Sequence, residues 1–105
     1  MKKIQKVIFT QSHADVLNCI RNTRDKYITI RQILGQLSQP DSYERQVKSI
    51  VFDLIVEFNY PIGSSRQHGY FYCNKPEDKV EAVNTLKSFI NGNVKRLEAF
   101  EKIEV

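Results

Sequence analysis

Residues 60–73, YPIGSSRQHGYFYC, set a single arginine, Arg66, on a small polar tip between two apolar-aromatic runs. Gly63 and Gly69 bracket that tip, where positive φ or a sharp reversal is expected. Pro61-Ile62 and residues 70–73 read as strands of a hairpin with its tip at residues 64–68. A long cation on a flexible tip can meet phosphate by charge, while Ser64, Ser65 and Gln67 add neutral hydrogen bonds. A second group lies at Ser42, Arg45, Gln46 and Ser49, on the polar side of a helix expected from residue 41. Arginine can read guanine and glutamine can read adenine in a major groove. Asp41 and Glu44 stand beside them and would repel phosphate. Arg31 and Lys26 flank the preceding short helix, and could either clamp backbone phosphate or be solvated charge.

Other chemistries lack their residues. There is no glycine-rich phosphate loop, no HExxH, no cysteine-histidine zinc spacing and no pair of catalytic carboxylates, so no enzyme, metal or cofactor is expected. Ser64 and Ser65 shape a turn, since nothing nearby forms a Ser/His/Asp signature. His13 falls on an apolar helix face and reads as a satisfied core histidine; His68 reads as tip surface, and Tyr43 as packing. Cys19 and Cys73 fit no CxxC pattern, so reduced thiols are the default, with a disulfide left open.

The elements that must position these residues follow from apolar spacing. Residues 4–9 could be a short strand or an extended arm. Ser12 with Asp15 resembles a capping box opening a helix with His13, Val16, Leu17 and Ile20 on one face. Tyr27 and Ile28 read as extended. Thr29 caps a two-turn helix with Ile30, Ile33, Leu34 and Leu37, which stops before Pro40. Asp41, with Glu44 as capping-box partner, opens a third helix whose apolar stripe is Val47, Ile50, Val51, Leu54, Ile55 and Phe58. Phe52 and Val56 fall on its other side, so its second half should be covered on two sides. After the hairpin, Pro76, Glu77 and Asp78 open a last helix. Val83, Leu86, Ile90, Leu97 and Phe100 form a heptad-like seam along it, with Asn93 at one seam position and a weak point at residues 91–93.

With 105 residues, one domain is expected; 41 % hydrophobic and 27 % charged residues make an ordinary globular composition. No apolar run approaches the ~20 residues that span a bilayer. The lysines at the N-terminus precede only Val7-Ile8-Phe9, too short for a signal sequence, so export is not expected and the cytoplasm is. The net charge is +4, unevenly spread. Residues 1–75 hold 11 basic and 6 acidic side chains, net +5, and residues 76–105 hold 5 and 6, net −1. The basic excess permits a polyanion partner without requiring one.

The order helix, extended piece, short helix, proline turn, polar-faced helix, hairpin, long helix is that of an α+β winged helix-turn-helix. It comprises a three-helix core plus a β-hairpin wing over residues 1–75, and a packing or dimerisation helix over residues 76–105. Residues 44–73, ERQVKSIVFDLIVEFNYPIGSSRQHGYFYC, resemble the recognition helix and wing of the DNA-binding domain of biotin-operon repressors, with a "PI" pair and a wing closing on "GY". They are more similar to small winged-helix proteins of bacteriophages and prophages of Gram-positive bacteria. There a PI…GY stretch precedes a Pro/Glu-started final helix, as here from Pro61-Ile62 to Gly69-Tyr70 and on to Pro76-Glu77. The resemblance covers about residues 29–105. Those phage proteins often have several arginines on the recognition helix, whereas this chain has Arg45 and Lys48.

The resemblance implies a double-stranded DNA-binding regulator of transcription or phage replication, working in a bacterial or phage-infected cell. The recognition helix would enter the major groove, with Arg66 as the wing's contact. A winged helix used as an adaptor for a replication or transcription protein is the alternative. The sparse arginines and acidic helix start favour it. The final seam suggests a homodimer; it could equally cover Phe52 and Val56 of its own chain.

Overall fold

The structure, a computed structural model, describes residues 7–104. It is α+β. The elements run α1 (Gln11–Arg21), β1 (Tyr27–Ile28), α2 (Ile30–Gln36), a 3-10 turn (Asp41–Tyr43), α3 (Glu44–Val56), β2 (Ile62–Ser65), β3 (Gly69–Tyr72) and α4 (Pro76–Lys102). Of the arm expected at residues 4–9, the first three residues lie outside the described part; Val7 to Thr10 have no regular structure.

Local chemistry places the helix ends. Thr10, not Ser12, caps α1. Its hydroxyl accepts from the His13 backbone N–H (3.3 Å), and His13 Nδ1 accepts the Thr10 backbone N–H (3.0 Å). A histidine thus takes the place usually held by glutamate in such a box. Thr29 and Gln32 make the corresponding reciprocal pair at α2 (3.1 and 2.9 Å). Ser38, at φ 53°, ends α2 by turning left-handed, and Gln39 N–H then reaches Leu34 O at 2.9 Å. The chain has already left the helix before Pro40. The capping expected of Asp41 is absent: neither the 3-10 turn nor α3 starts with a side-chain cap, and Glu44 pairs forward with Lys48 (3.3 Å). Asn59, at φ 61°, closes α3 as Ser38 closes α2.

The three strands are antiparallel in the order β1-β3-β2. Tyr27 and Gly63 both lie opposite Phe71, while Ile28 and Ser64 lie opposite Tyr70. Side chains alternate between faces along a strand, so these are two rows on opposite faces of the sheet. Ile28 and Ile62 join Val16, Ile20, Ile33, Val47 and Leu54 in the core formed with α1, α2 and α3, and Tyr70 and Tyr72 pack against it. Phe71 is fully buried on the other face. There the ring and Ala82 of α4 crowd over Gly63, where an added Cβ would sit 2.5 Å from the ring and 2.7 Å from Ala82 Cβ. The sheet is therefore covered twice, by three helices on one side and by the first half of α4 on the other.

The tip is shorter than expected. Ser64 and Ser65 belong to β2, leaving Arg66, Gln67 and His68 as the turn, with the Ser65 hydroxyl accepting from both Gln67 and His68 N–H (3.3 Å each). The helix α4 runs through residues 91–93 without a break for 27 residues, about 40 Å at ~1.5 Å per residue. Every residue from Leu86 to Glu104 is exposed. The radius of gyration, 16.0 Å, exceeds the ~13 Å of a compact chain of this length. The excess follows from the projecting half-helix.

Gly69 has φ +104°, and a Cβ there would lie 2.3 Å from Ile28 O. Gly69→Ala is expected to lower unfolding stability by about 2 kcal/mol or more. Gly35→Ala, with open space around it, is expected to be neutral or to stabilise by up to about 1 kcal/mol. Urea titration of both variants checks this; equal effects would contradict the strand pairing at Gly69.

Candidate functional site

The rotation of α3 is set by Val47, Ile50, Val51 and Leu54, which face the core. The remaining arc leaves Ser42, Arg45, Gln46, Lys48 and Ser49 exposed at its start. Lys48 and Phe52 border one groove together with Ser64 and Tyr70 of the hairpin. Lys48 is therefore the polar residue of α3 that shares a groove with the hairpin. Glu44 also reaches this region: burial first, and then its charge, push the Tyr70 hydroxyl pKa up. The Glu44–Lys48 pair is exposed and contributes little stability, so Lys48 is available to another anion.

The second half of α3 differs. Phe52 is 60 % exposed, and Ile55 and Val56 are also exposed. The expected two-sided cover is not provided by this chain's own α4, which lies over the sheet instead. The reason is the Phe71 row, which draws α4 to the far face.

Arg66 is more occupied than a free tip cation. Its Nη2 donates to Ser88 Oγ (3.2 Å), and its guanidinium sits 4.5 Å over the ring of Phe89. Both contacts are at the surface, where such stacking amounts to about 0.5–1 kcal/mol. A phosphate can therefore compete for the side chain. Gln67 is exposed, Ser64 and Ser65 are half-buried in β2, and Arg31 is exposed on α2.

Lys26 is engaged within its own chain rather than held as simple solvated charge. Its Nζ lies 3.0 Å from both Asp78 Oδ1 and Glu81 Oε1, above the rings of Tyr27 and Phe71. Tyr27 Oη donates to Glu81 (2.7 Å), and Asp78 accepts the N–H groups of Asn74 (2.9 Å) and Lys75 (3.2 Å). This network fastens the first turns of α4. Hydrogen bonds to Asp78 and then Glu81 raise the Lys26 pKa. The Asn74 N–H and then Lys26 lower that of Asp78, and the Tyr27 hydroxyl lowers that of Glu81.

His13 is buried. Its Nδ1 accepts from Thr10, so Nε2 holds the proton and donates to Asp53 Oδ2 at 2.9 Å. It is a satisfied structural group. Cys19 and Cys73 are free thiols, and burial pushes both pKa values up. Among the described residues no group of three His, Cys, Asp or Glu side chains is placed to hold a metal ion, and no helix is long and apolar enough to cross a membrane.

The structure thus leaves Ser42, Arg45, Gln46 and Ser49 exposed around the start of α3, leaves Arg31 exposed on α2, and turns Arg66 toward α4. The seam residues Val83, Leu86, Ile90, Leu97 and Phe100 are all exposed. No family model, no curated protein and no solved structure matches the chain.

The ion network gives a pH dependence. Asp78 and Glu81 have lowered values when folded, so their stabilisation is present above the ordinary carboxylate range and fades as pH falls below about 4. Lys26 has a raised value, so its stabilisation is present below the ordinary lysine range and fades as pH rises above about 10. Asp78→Asn is expected to flatten the acid limb in chemical unfolding followed at a series of pH values. An unchanged acid limb would mean that the network does not hold α4.

Proposed function

We propose that this chain is a winged helix-turn-helix protein that binds double-stranded DNA, with α2 and α3 as the helix-turn-helix and the β2–β3 hairpin as the wing. The element order and the edge position of β1 beside the hairpin support the fold reading. The observation that carries the DNA reading is the uncovered polar start of α3, with Arg45, Gln46 and Ser49 exposed and Lys48 sharing a groove with Ser64 and Tyr70 of the hairpin. Recognition helices read base edges with their N-terminal residues, which is where this polar patch lies. Arg45 and Gln46 would meet bases. Ser42, Lys48, Ser64, Ser65, Gln67 and, once released from α4, Arg66 would meet the backbone, with Arg31 at its margin. The net +5 of residues 1–75 supplies the general attraction. A regulator of transcription or of phage replication, acting in the cytoplasm, fits such a module.

A winged helix that binds protein is the second reading. Phe52 and Val56 favour it, because they sit outward on α3 where a DNA reader would hold polar groups.

Fluorescence anisotropy with a mixed-sequence duplex at several salt concentrations separates the two. DNA binding predicts micromolar affinity at low salt, and a log–log salt slope that falls by about 1 or more in Arg45→Glu and in Arg66→Glu. Phe89→Ala, which releases Arg66 without changing charge, should bind at least as well as the unaltered chain. No binding at low salt, or binding indifferent to both reversals, would overturn the DNA reading in favour of a protein partner.

A further inference from the structure

We infer that the outer face of α4 is an interface with a second copy of this chain, in which the two α4 helices pair antiparallel and each projecting half lies in the other's groove. The proposal does not depend on DNA binding. Two observations define the surface. Val83 and Leu86 line a groove of about 460 Å³ with Ile55, Tyr60 and Pro61, beside the Lys48–Phe52 groove described above. The same α4 face then continues past the body as Ile90, Val94, Leu97 and Phe100, all exposed with none of the described residues packed over them. At ordinary side-chain sizes this strip and Phe52 expose about 700–800 Å², beyond the ~300–600 Å² patch of a typical monomer and close to the ~800 Å² per partner of a standard interface.

The occupant follows from self-complementarity. The strip has an apolar cleft at one end and an apolar projecting helix at the other, which is the condition for an isologous pair. An antiparallel register sets Val83 against the partner's Phe100, Leu86 against the partner's Leu97, and Ile90 against the partner's Asn93. Seam positions then pair throughout. A parallel pair would leave Phe52 and Ile55 open; the antiparallel pair covers them with the partner's Leu97 and Phe100. Charge permits the contact, since residues 76–105 hold 5 basic and 6 acidic side chains and two copies do not repel. The same near-neutrality makes this face unsuited to a polyanion.

Sedimentation equilibrium of the full chain is expected to give twice the 12.3 kDa monomer mass at tens of micromolar. Leu97→Asp lies beyond the folded body and should weaken association at least ~100-fold, and Phe52→Asp should act in the same direction. On a Cys73→Ser background, chains bearing Leu86→Cys and chains bearing Leu97→Cys should crosslink with each other and not with themselves. A monomer at about 200 µM, or a dimer indifferent to both aspartate variants, overturns the proposal. Self-linking at position 97 overturns the antiparallel arrangement.

Discussion

The burial of Phe71 between the sheet and α4 is the constraint on which the rest of this structure depends. A strand in a small sheet with one wet face would hold a polar residue there. Here the pairing of Tyr27, Phe71 and Gly63 makes a row that is aromatic, aromatic and empty, and Ala82 closes over the empty place. The packing has no slack, because any side chain at Gly63 would meet the ring or the helix. Lys26, Tyr27, Asp78 and Glu81 then bind the edges of the same contact with charge and hydrogen bonds. Apolar burial brings α4 to the sheet and the polar network fixes where along the sheet it sits.

That placement has consequences at both ends. Because α4 crosses the far face, it cannot also cover Phe52, Ile55 and Val56 of α3, which stay open. Because it follows the hairpin from base to tip, Ser88 and Phe89 come within reach of Arg66. And because a helix of this length outruns the sheet, its second half projects with its apolar seam bare. The polar start of α3 is left clear of all this. The molecule therefore presents two surfaces of opposite character: polar and basic along the first turns of α3 and the hairpin, apolar along α4 and the end of α3.

Much of the fold is legible in the residue pattern. Apolar spacing at three and four residues locates all four helices to within a few residues of their ends, and Gly63 and Gly69 mark the hairpin. Thr29 with Gln32 behaves as a capping pair should. What escapes is of another kind. The run Tyr70-Phe71-Tyr72 does not alternate, so it does not say which residue faces the core. Continuous apolar character is itself a sign of a strand covered on both sides, and a small residue opposite, Gly63, was the further clue. That Arg66 meets residues 22 positions later depends on the path of α4, which no local pattern states. Thr10 displaced Ser12 as the cap because a histidine ring at the third position can accept the backbone N–H, an unusual substitute. The stop at Ser38 is made by a left-handed serine, so the helix has already ended when the chain reaches Pro40.

Which surface meets a duplex can be read directly from backbone amide shifts. The measurement is a heteronuclear NMR titration of the labelled chain with a short duplex, at fixed protein concentration and low salt. If the polar face is the DNA surface, shifts will concentrate at residues 42–49 and 64–67, while the amides of the α4 seam move with protein concentration and not with duplex. Duplex-induced shifts centred on α4, or none at all, would contradict the assignment of DNA to α3 and the hairpin.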